Sequence, residues 1–465
     1  MIETIIFIVL YGIWLAVAVK YTKYSVLLLP VFFPLYLFKI TVLGVPLYFI
    51  EGLIVIAAIP VFVKILIGRD DQLLKEKFFK KFLHIIKNFF QPKPRAFNDF
   101  LKSPYLPTVL FLIACLVSAV IVPADGSKQA LGILKSWIII PLVYFILLMH
   151  SIRSLKDLNT ALYSYIASSV FLCLWGMFQA LSGSYITIDN RVSGPFESAN
   201  YLAMYITPAF VYCMVRFLRS FIHNKFETAT VKWNKFENGI YIGVLVALFL
   251  TVLVLTQSYG GIAGSFAAIF IYIIYERFKV KEKQSKKFLN RFILFILTIF
   301  LLGGTLTVVL NYEKFENLAK FDDHTSISTR IEIWKVGYDL IKENPLFGIG
   351  LGQYEKRYAS DAQRILGEKP FEETRLHSHN LFMEFWLQSG LIGLLSFVWL
   401  LILAYRQVYY NLPPNNKKSM IVLIIMLTYI MFHGLIDVPF WKNDLALILW
   451  TVLAGIFALN KADVH

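Results

Sequence analysis

The segment that decides the fold is the polar interval 311–384, which contains the run Asn344-Pro-Leu-Phe-Gly-Ile-Gly-Leu-Gly352. The same interval carries Arg330-Ile-Glu-Ile-Trp334 before this run and His377-Ser-His-Asn380 after it. On both sides the chain is a series of apolar runs, many of them about 20 residues long, the length that a helix needs to cross a bilayer. The sequence therefore predicts a membrane protein in which one long exposed loop carries the reactive side chains.

Composition and hydropathy indicate an integral membrane protein. Hydrophobic residues make up 58% of the 465 residues, charged residues make up 16%, and the mean hydropathy is +0.64. These values exclude an ordinary soluble globular protein. The first apolar run lacks a basic start and a cleavage site, so we expect a retained helix and no signal peptide. We predict an all-α fold of about 12–13 transmembrane helices, with candidate spans at 4–20, 25–43, 47–67, 105–123, 132–149, 159–181, 198–218, 239–256, 260–277, 292–310, 388–405, 419–436 and 444–460.

The placement of charge predicts the topology. The net charge is +15, but Lys and Arg lie in short clusters between apolar runs, as in cytoplasmic loops, and do not form a nucleic-acid-binding surface. The interval 311–384 instead contains 10 basic and 13 acidic residues. We therefore expect this loop to be extracytoplasmic, the amino terminus to be outside, and no nucleic acid to be bound. The basic intervals are 20–23, 64–102, 153–156, 216–235, 277–291, 406–418 and 461.

The longest basic interval, 64–102, is expected to form a cytoplasmic insertion. Apolar residues recur between positions 73 and 90, and lysines fill the gaps between them. This pattern is typical of an amphipathic helix that lies on the anionic lipids of the inner leaflet. A solvated connector is the alternative interpretation.

The cysteines do not predict a metal site or a disulfide framework. Cys115, Cys173 and Cys213 all lie inside apolar runs and are widely separated in the sequence. We expect them to be small packing residues within the helical bundle.

Two short motifs precede the long loop on the predicted outer side. Arg191 begins the turn-rich stretch 191–200, where it serves either as an interfacial anchor or as a contact to substrate. The hairpin Thr256-Gln-Ser-Tyr-Gly-Gly261 is so short that the two spans flanking it must be antiparallel neighbours. By itself this hairpin indicates only a tight turn.

The long loop carries three features that have alternative interpretations. Arg330 and Trp334 share a face if their segment is helical. The Gly-x-Gly-x-Gly run at 348–352 forms either a backbone nest for phosphate or a turn packed tightly against the membrane face. His377 and His379 could bind zinc as a pair, but no third ligand stands at a recognisable spacing, so we expect no metal.

Taken together, these motifs resemble those of the O-antigen ligase and O-antigen polymerase superfamily of bacterial envelope glycan assembly. The resemblance covers roughly residues 185–460 and depends on the order and spacing of the motifs as a set. The matching residues are Arg191…Gly194…Asn200, Thr256-x-Ser258, Arg330…Trp334…Asn344-Pro-Leu-Phe-Gly-Ile-Gly350, His379-Asn380…Gly390-Leu-Ile-Gly393 and His433-Gly-Leu-Ile-Asp437.

The resemblance implies a GT-C-like glycosyltransferase in the bacterial cytoplasmic (inner) membrane. Such an enzyme moves a glycan from a polyprenyl (undecaprenyl) diphosphate donor to a hydroxyl of a glycan, lipid or protein acceptor, with inversion and without metal or cofactor. By resemblance His379 is the general base, and Arg330 and Arg191 neutralise the diphosphate. The predicted substrate-binding residues are Asn200, Trp334, Asn380 and Tyr259. This chemistry suits the residue types, because Arg pairs with diphosphate through fixed donors and a neutral imidazole accepts a proton.

One residue departs from the family pattern. The family usually carries Arg after Thr-x-Ser, and this chain has Tyr259. Either one diphosphate contact is lost, or Lys314 or Arg375 supplies it, or Tyr259 donates a weaker hydrogen bond. The pair His433 and Asp437 is open to two interpretations, as functional groups or as a structural polar pair at the cavity wall.

The domain organisation follows from the extent of the resemblance. We predict N-terminal transmembrane helices over 1–184, with the basic insertion at 64–104, and a ligase-like catalytic domain over 185–465 that includes loop 311–384. Ligase and repeat-unit polymerase are not separable by sequence, since they differ in the acceptor. A flippase or exporter of lipid-linked glycans is a further alternative, although it would spread charged residues through the bilayer. A non-catalytic scaffold is favoured only by Tyr259.

Overall fold

A computed structural model describes residues 2–42, 45–67, 101–222, 235–281, ten positions between 283 and 298, 326–410 and 412–459. The described residues are almost entirely helical, and their largest apolar cluster draws on side chains from Phe7 to Leu459. The helices are α1 Ile2–Lys20, α2 Thr22–Leu27, α3 Phe49–Ile67, α4 Tyr105–Val120, α5 Ala124–Ile133, α6 Ile140–Ser151, α7 Leu155–Ser182, α8 Ala199–Ile222, α9 Lys235–Leu255, α10 Tyr259–Lys279, α11 Ser326–Glu343, α12 Tyr354–Leu366, α13 Leu381–Arg406, α14 Pro414–His433 and α15 Asn443–Leu459.

These helices confirm the predicted fold class, an all-α polytopic membrane protein. Among the described residues, four helices are apolar but are shorter than the five that are long enough to cross a membrane. The predicted span 292–310 and the amphipathic run at 73–90 lie largely or wholly outside the described residues. In the part of the chain that the structure describes, five helical segments are long and apolar enough to cross a membrane, namely Ala124–Ser151, Leu155–Ser182, Ala199–Ser220, Tyr259–Lys279 and Leu381–Tyr409.

The second predicted span, 25–43, differs from a continuous helix. After the short helix α2, the chain forms a 3-10 helix over Leu29–Leu37 that contains Pro34. It then forms an antiparallel hairpin of β1 Lys39–Val42 and β2 Val45–Tyr48. Proline lacks an amide N–H and its ring clashes with the preceding turn, so Pro34 disfavours a regular α-helix in this segment.

Between α5 and α6 the helix widens into one turn of π-helix, Leu134–Ile139. The wider turn directs Lys135 and Trp137 to distant partners. Lys135 pairs with the buried Glu51 at 2.7 Å, and Trp137 Nε1 donates to Asn443 Oδ1 at 2.7 Å. Turns of this kind are frequent at functional sites.

Helices α11 and α12 form a small unit with a core of its own. Ile333 and Leu340 of α11 pack with Tyr354 and Tyr358 of α12. The unit also contains ion pairs on its surface. Arg357 bridges the two helices by pairing with Glu343 at 2.7 Å. The described part of the predicted outer loop is therefore an ordered helical unit.

This unit is attached to the bundle at a break in α13. Gly390 has φ of +68° and ψ of −176°, which is not helical and which residues other than glycine avoid. The interruption exposes backbone groups of α13 that pair with the Gly-x-Gly-x-Gly segment. Ile349 N donates to Leu387 O at 2.8 Å, and Leu391 N donates to Leu346 O at 3.2 Å. Two glycine motifs far apart in sequence thus form one joint.

We predict that Gly390→Ala destabilises the protein strongly, whereas Gly132→Ala does not. A Cβ atom at Gly390 would overlap the Leu346 carbonyl oxygen, and the backbone conformation alone costs about 1–3 kcal/mol. A Cβ atom at Gly132, inside α5, meets no atom within 4 Å. Alanine there should be neutral or stabilise the helix by roughly 0.5–1 kcal/mol.

The thermal midpoint of detergent-solubilised protein, followed by fluorescence-detected size exclusion, distinguishes the two variants. Equal midpoints for Gly390→Ala and the native chain would show that α13 tolerates a regular turn at this position.

Candidate functional site

The candidate site lies where the start of α13 meets the turn that follows α14. Leu381 N donates to Gly434 O at 2.7 Å, and Asn380 Nδ2 donates to Leu435 O at 2.9 Å. The two segments are in close contact, since a Cβ atom on Gly434 would stand 2.9 Å from the Leu381 Cβ. This docking brings the His377-Ser-His-Asn380 segment onto the turn that carries Asp437.

His379 and Asp437 form the centre of this arrangement. His379 Nδ1 lies 3.4 Å from Asp437 Oδ1, an ion-pair distance that lacks the alignment of a hydrogen bond. The His379 side chain is 27% exposed and that of Asp437 is 6% exposed. Asp437 also accepts from Asn200 Nδ2 at 3.3 Å and from Val438 N at 2.9 Å. A buried carboxylate therefore faces one ring nitrogen of a partly exposed imidazole.

The Asp437 carboxyl is held in its ionised form. Burial acts to raise its pKa, but the neighbouring His379, the nearby His433 and the Val438 N–H together lower the pKa well below its usual range. A negative charge at this position can accept a hydrogen bond from the N–H of an adjacent imidazole. It also favours the tautomer that keeps a proton on the nitrogen facing it.

Arg330 reaches the same turn from the α11–α12 unit. Its Nε donates to the carbonyl of Ile436, the residue before Asp437, at 3.1 Å. Arg330 lies in the first turns of α11, so the helix fixes the base of its side chain. A guanidinium and an imidazole therefore contact neighbouring residues of one short turn.

The hairpin at 256–261 lies against the same region through His433. A Cβ atom on Gly260 would stand 2.9 Å from His433 Nε2, so the glycine permits this close approach. The other ring nitrogen of His433 pairs with Tyr429 Oη at 2.7 Å. His433 is 1% exposed and is enclosed by these contacts, as expected of a structural residue in the wall of the site.

Arg191 reaches this hairpin from the loop between α7 and α8. It donates from a terminal nitrogen to Thr256 O at 3.5 Å. It also pairs through Nε with Asp189 Oδ2 at 2.5 Å, and the Asp189 side chain is 50% exposed. Arg191 therefore lies at the rim of the region with a surface carboxylate as its present partner.

The four predicted substrate-binding residues fall into different environments. Asn200 is bonded to Asp437, as described above. Asn380 caps α13 by accepting from Met383 N at 3.0 Å, so part of its role is structural. Trp334 packs against the core of the α11–α12 unit. Tyr259 opens α10 and is 81% exposed.

His377 is directed away from His379, to a carboxylate on α13. Its Nδ1 lies 3.1 Å from Glu384 Oε1, and the Glu384 side chain is fully buried. The two histidines therefore face different carboxylates. Within the described ranges, no three His, Cys, Asp or Glu side chains are gathered in a way that could hold a metal ion.

The Gly-x-Gly-x-Gly run packs as a turn, which was one of its two interpretations. Gly348 N donates to Asn344 O at 3.0 Å, and Gly352 N donates to the Gln388 side chain at 2.6 Å. With Ile349 N also donating to Leu387 O, these amides are directed at the protein itself. A nest for phosphate would require them to converge on a ligand.

Arg375 and Lys314 are the two basic residues that the sequence offers in place of the family arginine. Arg375 pairs with Glu372 beside the α11–α12 unit, and Lys314 lies outside the described residues.

Sequence reasoning did not identify Glu384 and Lys442. Lys442 Nζ lies 3.9 Å from the ring centre of Tyr201, 4.4 Å from that of Phe196 and 3.8 Å from Asp444 Oδ1. Burial lowers the pKa of Lys442. By cation–π contacts, the ammonium group joins Phe196 in the loop before α8 and Tyr201 in the first turn of α8 to the segment before α15. In the sequence, only the position of Lys442 directly before an apolar helix could have drawn attention to it.

These features define a class: a polytopic helical membrane protein with a histidine–carboxylate pair and two arginines at one end of its bundle. Residues 244–398, about a third of the chain, match the family model described as O-antigen ligase. Arg330, His379 and Asn380 lie within the matched segment. This match over part of the chain confirms the resemblance drawn from its motifs.

Three curated relatives are similar to parts of this chain, and the names of two of them refer to polysaccharide ligation or production. An uncharacterized protein of Haemophilus influenzae is 25% identical over 200 residues, which are 40% of this chain and 48% of the relative. A Rickettsia conorii protein named as a candidate polysaccharide ligase is 30% identical over 136 residues, 29% and 31% of the two chains. The exopolysaccharide production protein ExoQ of Rhizobium meliloti is 29% identical over 106 residues, 22% and 24%. The chain spans less than half the length of each relative.

Proposed function

We propose that the protein is a membrane glycosyltransferase of the O-antigen ligase type. It would transfer a glycan from a polyprenyl diphosphate donor to an acceptor hydroxyl at the outer face of the bacterial cytoplasmic membrane. The observation that supports this most directly is the contact of His379 with the buried Asp437, next to the turn that receives Arg330. His379 and Arg330 lie inside the segment that matches the O-antigen ligase family model, and Asp437 lies beyond its end.

The proposed reaction begins with proton transfer to His379. Asp437 faces Nδ1 of the imidazole, so Nε2 is the nitrogen left to accept the proton of the acceptor hydroxyl. The acceptor oxygen then forms a bond to the anomeric carbon as the bond from that carbon to the diphosphate oxygen breaks. The electron pair leaves with the polyprenyl diphosphate. Attack from the side opposite the leaving group inverts the anomeric configuration.

The two arginines would stabilise the charge that develops on the diphosphate. Arg330 is placed at the turn beside Asp437, and Arg191 lies at the rim. Arg191 would exchange its surface partner Asp189 for the more highly charged diphosphate. This assignment requires no metal, because the guanidinium groups supply the positive charge.

A repeat-unit polymerase of the same superfamily is the second assignment. One relative is named for exopolysaccharide production, and this name supports the polymerase as an alternative to the ligase. The donor chemistry would be the same, and the acceptor would be another lipid-linked repeat unit in place of a different lipid or a protein.

We predict that Arg330→Ala and Arg191→Ala reduce transfer about 10²- to 10³-fold, the usual effect of removing a donor aimed at developing charge. Arg330→Lys should also be poor, because a point charge does not reproduce the guanidinium fork. Transfer of radiolabelled glycan from a purified polyprenyl diphosphate donor measures the effect. Arg364→Ala is the matched control, since Arg364 is 57% exposed and forms surface ion pairs on α12. Near-native transfer by either site variant would remove that arginine from the proposed site.

We predict that His379→Ala abolishes turnover but retains donor binding, whereas His377→Ala retains part of the turnover. A general base contributes about 10²- to 10⁴-fold, so a trace of activity is expected to remain. The transfer rate of the native protein should rise with pH, because a general base acts in its unprotonated form. It should not respond to EDTA. Loss of transfer in EDTA and its return with zinc would identify a metalloenzyme and contradict the base assignment.

We predict that position 360 is extracytoplasmic and position 103 is cytoplasmic, from the alternation of charge. An impermeant thiol reagent should label Ser360→Cys but not Ser103→Cys in intact cells. The native Cys115, Cys173 and Cys213 are buried, so background labelling should be low. The opposite labelling pattern would reverse the orientation and place the site on the wrong side for a lipid-linked glycan.

A further inference from the structure

Glu384 is a fully buried carboxylate that the proposed reaction does not use. It lies in the first turn of α13, and its side chain is 0% exposed. Its Oε2 accepts from Ser378 N at 2.7 Å. Its Oε1 accepts from Gln388 Nε2 at 2.8 Å and lies 3.1 Å from His377 Nδ1. Both oxygens therefore have partners, and two of these partners belong to the segment that leads directly to His379.

Burial of a carboxylate is unfavourable unless its partners compensate for the lost water. Here the compensation comes from a backbone amide, an amide side chain and an imidazole, all aimed at one group. Its position in the first turn of a helix adds the favourable field of the helix dipole. Such an arrangement rigidifies the groups that it joins, because removing the carboxylate would leave several donors unsatisfied.

The segment that Glu384 holds contains a residue in an uncommon backbone conformation. His379 has φ of +49°, the left-handed region that residues other than glycine rarely adopt. Such a conformation persists only where the surroundings determine it. On one side of His379, Ser378 N is fixed by Glu384. On the other side, Asn380 is fixed by its contacts with Met383 N and Leu435 O.

Glu384 also connects this segment to two other parts of the molecule. Gln388, its partner one turn along α13, accepts from Gly352 N at 2.6 Å and so reaches the joint below the α11–α12 unit. On the opposite side, the ring of Trp137 from the π-helical turn lies 6.2 Å from the His377 ring. The carboxylate is therefore linked to the joint through Gln388 and to the π-helical turn through His377.

We propose that Glu384 is a positioning residue, which fixes His377 and Ser378 so that His379 is held in its left-handed conformation with its ring against Asp437. This inference rests on the proposed function for its catalytic consequence, but the positioning itself does not depend on the reaction. His377 then has a defined role as a partner of Glu384, distinct from that of His379.

The test compares Glu384→Ala and Glu384→Gln with the native protein by two independent measurements. The first is the rate at which diethyl pyrocarbonate modifies His379 in the detergent-solubilised protein, read by peptide mass spectrometry. His150, in the last turn of α6, is the internal reference. The second is the separation of kcat from the KM for the lipid-linked donor in the transfer assay. Glu276→Gln is the matched control, because Glu276 is also a buried glutamate on a helix. It is 1% exposed and lies near the C-terminal end of α10.

We expect Glu384→Ala to change the modification rate of His379 severalfold, with His150 unaffected. The kcat should fall by about ten- to 10²-fold, as for a small displacement of a reacting group, and the donor KM should change little because the arginines are intact. Glu384→Gln should be intermediate, since an amide oxygen can still accept from Ser378 N. If Glu384→Ala does not accumulate, the glutamine variant carries the test.

The outcomes separate this inference from the proposed function. An unchanged His379 modification rate in a folded Glu384 variant would overturn the positioning role, whatever happens to transfer. A changed modification rate with unchanged kcat would support the positioning of His379 and overturn its assignment as the base. If the native protein showed no glycan transfer, the modification rates would still decide the positioning role.

Discussion

The hydrogen bond from Leu381 N to Gly434 O is the contact on which the candidate site depends. It joins the first residue of α13 to the residue after α14, and Asn380 adds a second bond to the same turn. His379 and Asp437 are three or fewer residues from this contact, so its geometry sets their separation. Within a bilayer, backbone groups at helix ends must find partners in the protein. Here the partners that satisfy two helix ends also assemble the reactive groups.

The same requirement explains the break in α13. A helix interrupted at Gly390 leaves amides and carbonyls without partners inside the helix, and the segment before Gly352 supplies them. The α11–α12 unit is thereby attached to α13 at its base, while Arg330 attaches it to the turn at Ile436. Two attachments, one of backbone and one of a guanidinium group, fix the unit over the site. Glycine is required at the joint because a Cβ atom would overlap the opposing backbone.

Sequence reasoning predicted most of the helical spans that the structure describes, because hydrophobic length is a local property of the chain, but it did not predict the 3-10 helix and hairpin within 25–43. It predicted His379 and Arg330 through the order of the motifs, but not that Asp437 would lie beside His379, since that contact depends on the packing of α13 against α14. The glycine run had two interpretations until the partners of its amides were known. Glu384 was not identified because a carboxylate in a first helical turn is ordinary. Only its burial and its three partners distinguish it.

In the proposed reaction, the cations of the site supply the positive charge that pairs with the diphosphate. Tyr259 stands where the family usually has arginine, and its exposed side chain is a phenol, which cannot supply a positive charge. Lys442 does not replace that arginine, because its ammonium is enclosed by aromatic rings beside Asp444. Arg330 is anchored at the turn, whereas the ion pair of Arg191 with Asp189 is at the surface, where such pairs contribute little. On the proposed reaction, Arg191 is therefore the cation that can change partner as the donor binds, while Arg330 remains fixed beside the base.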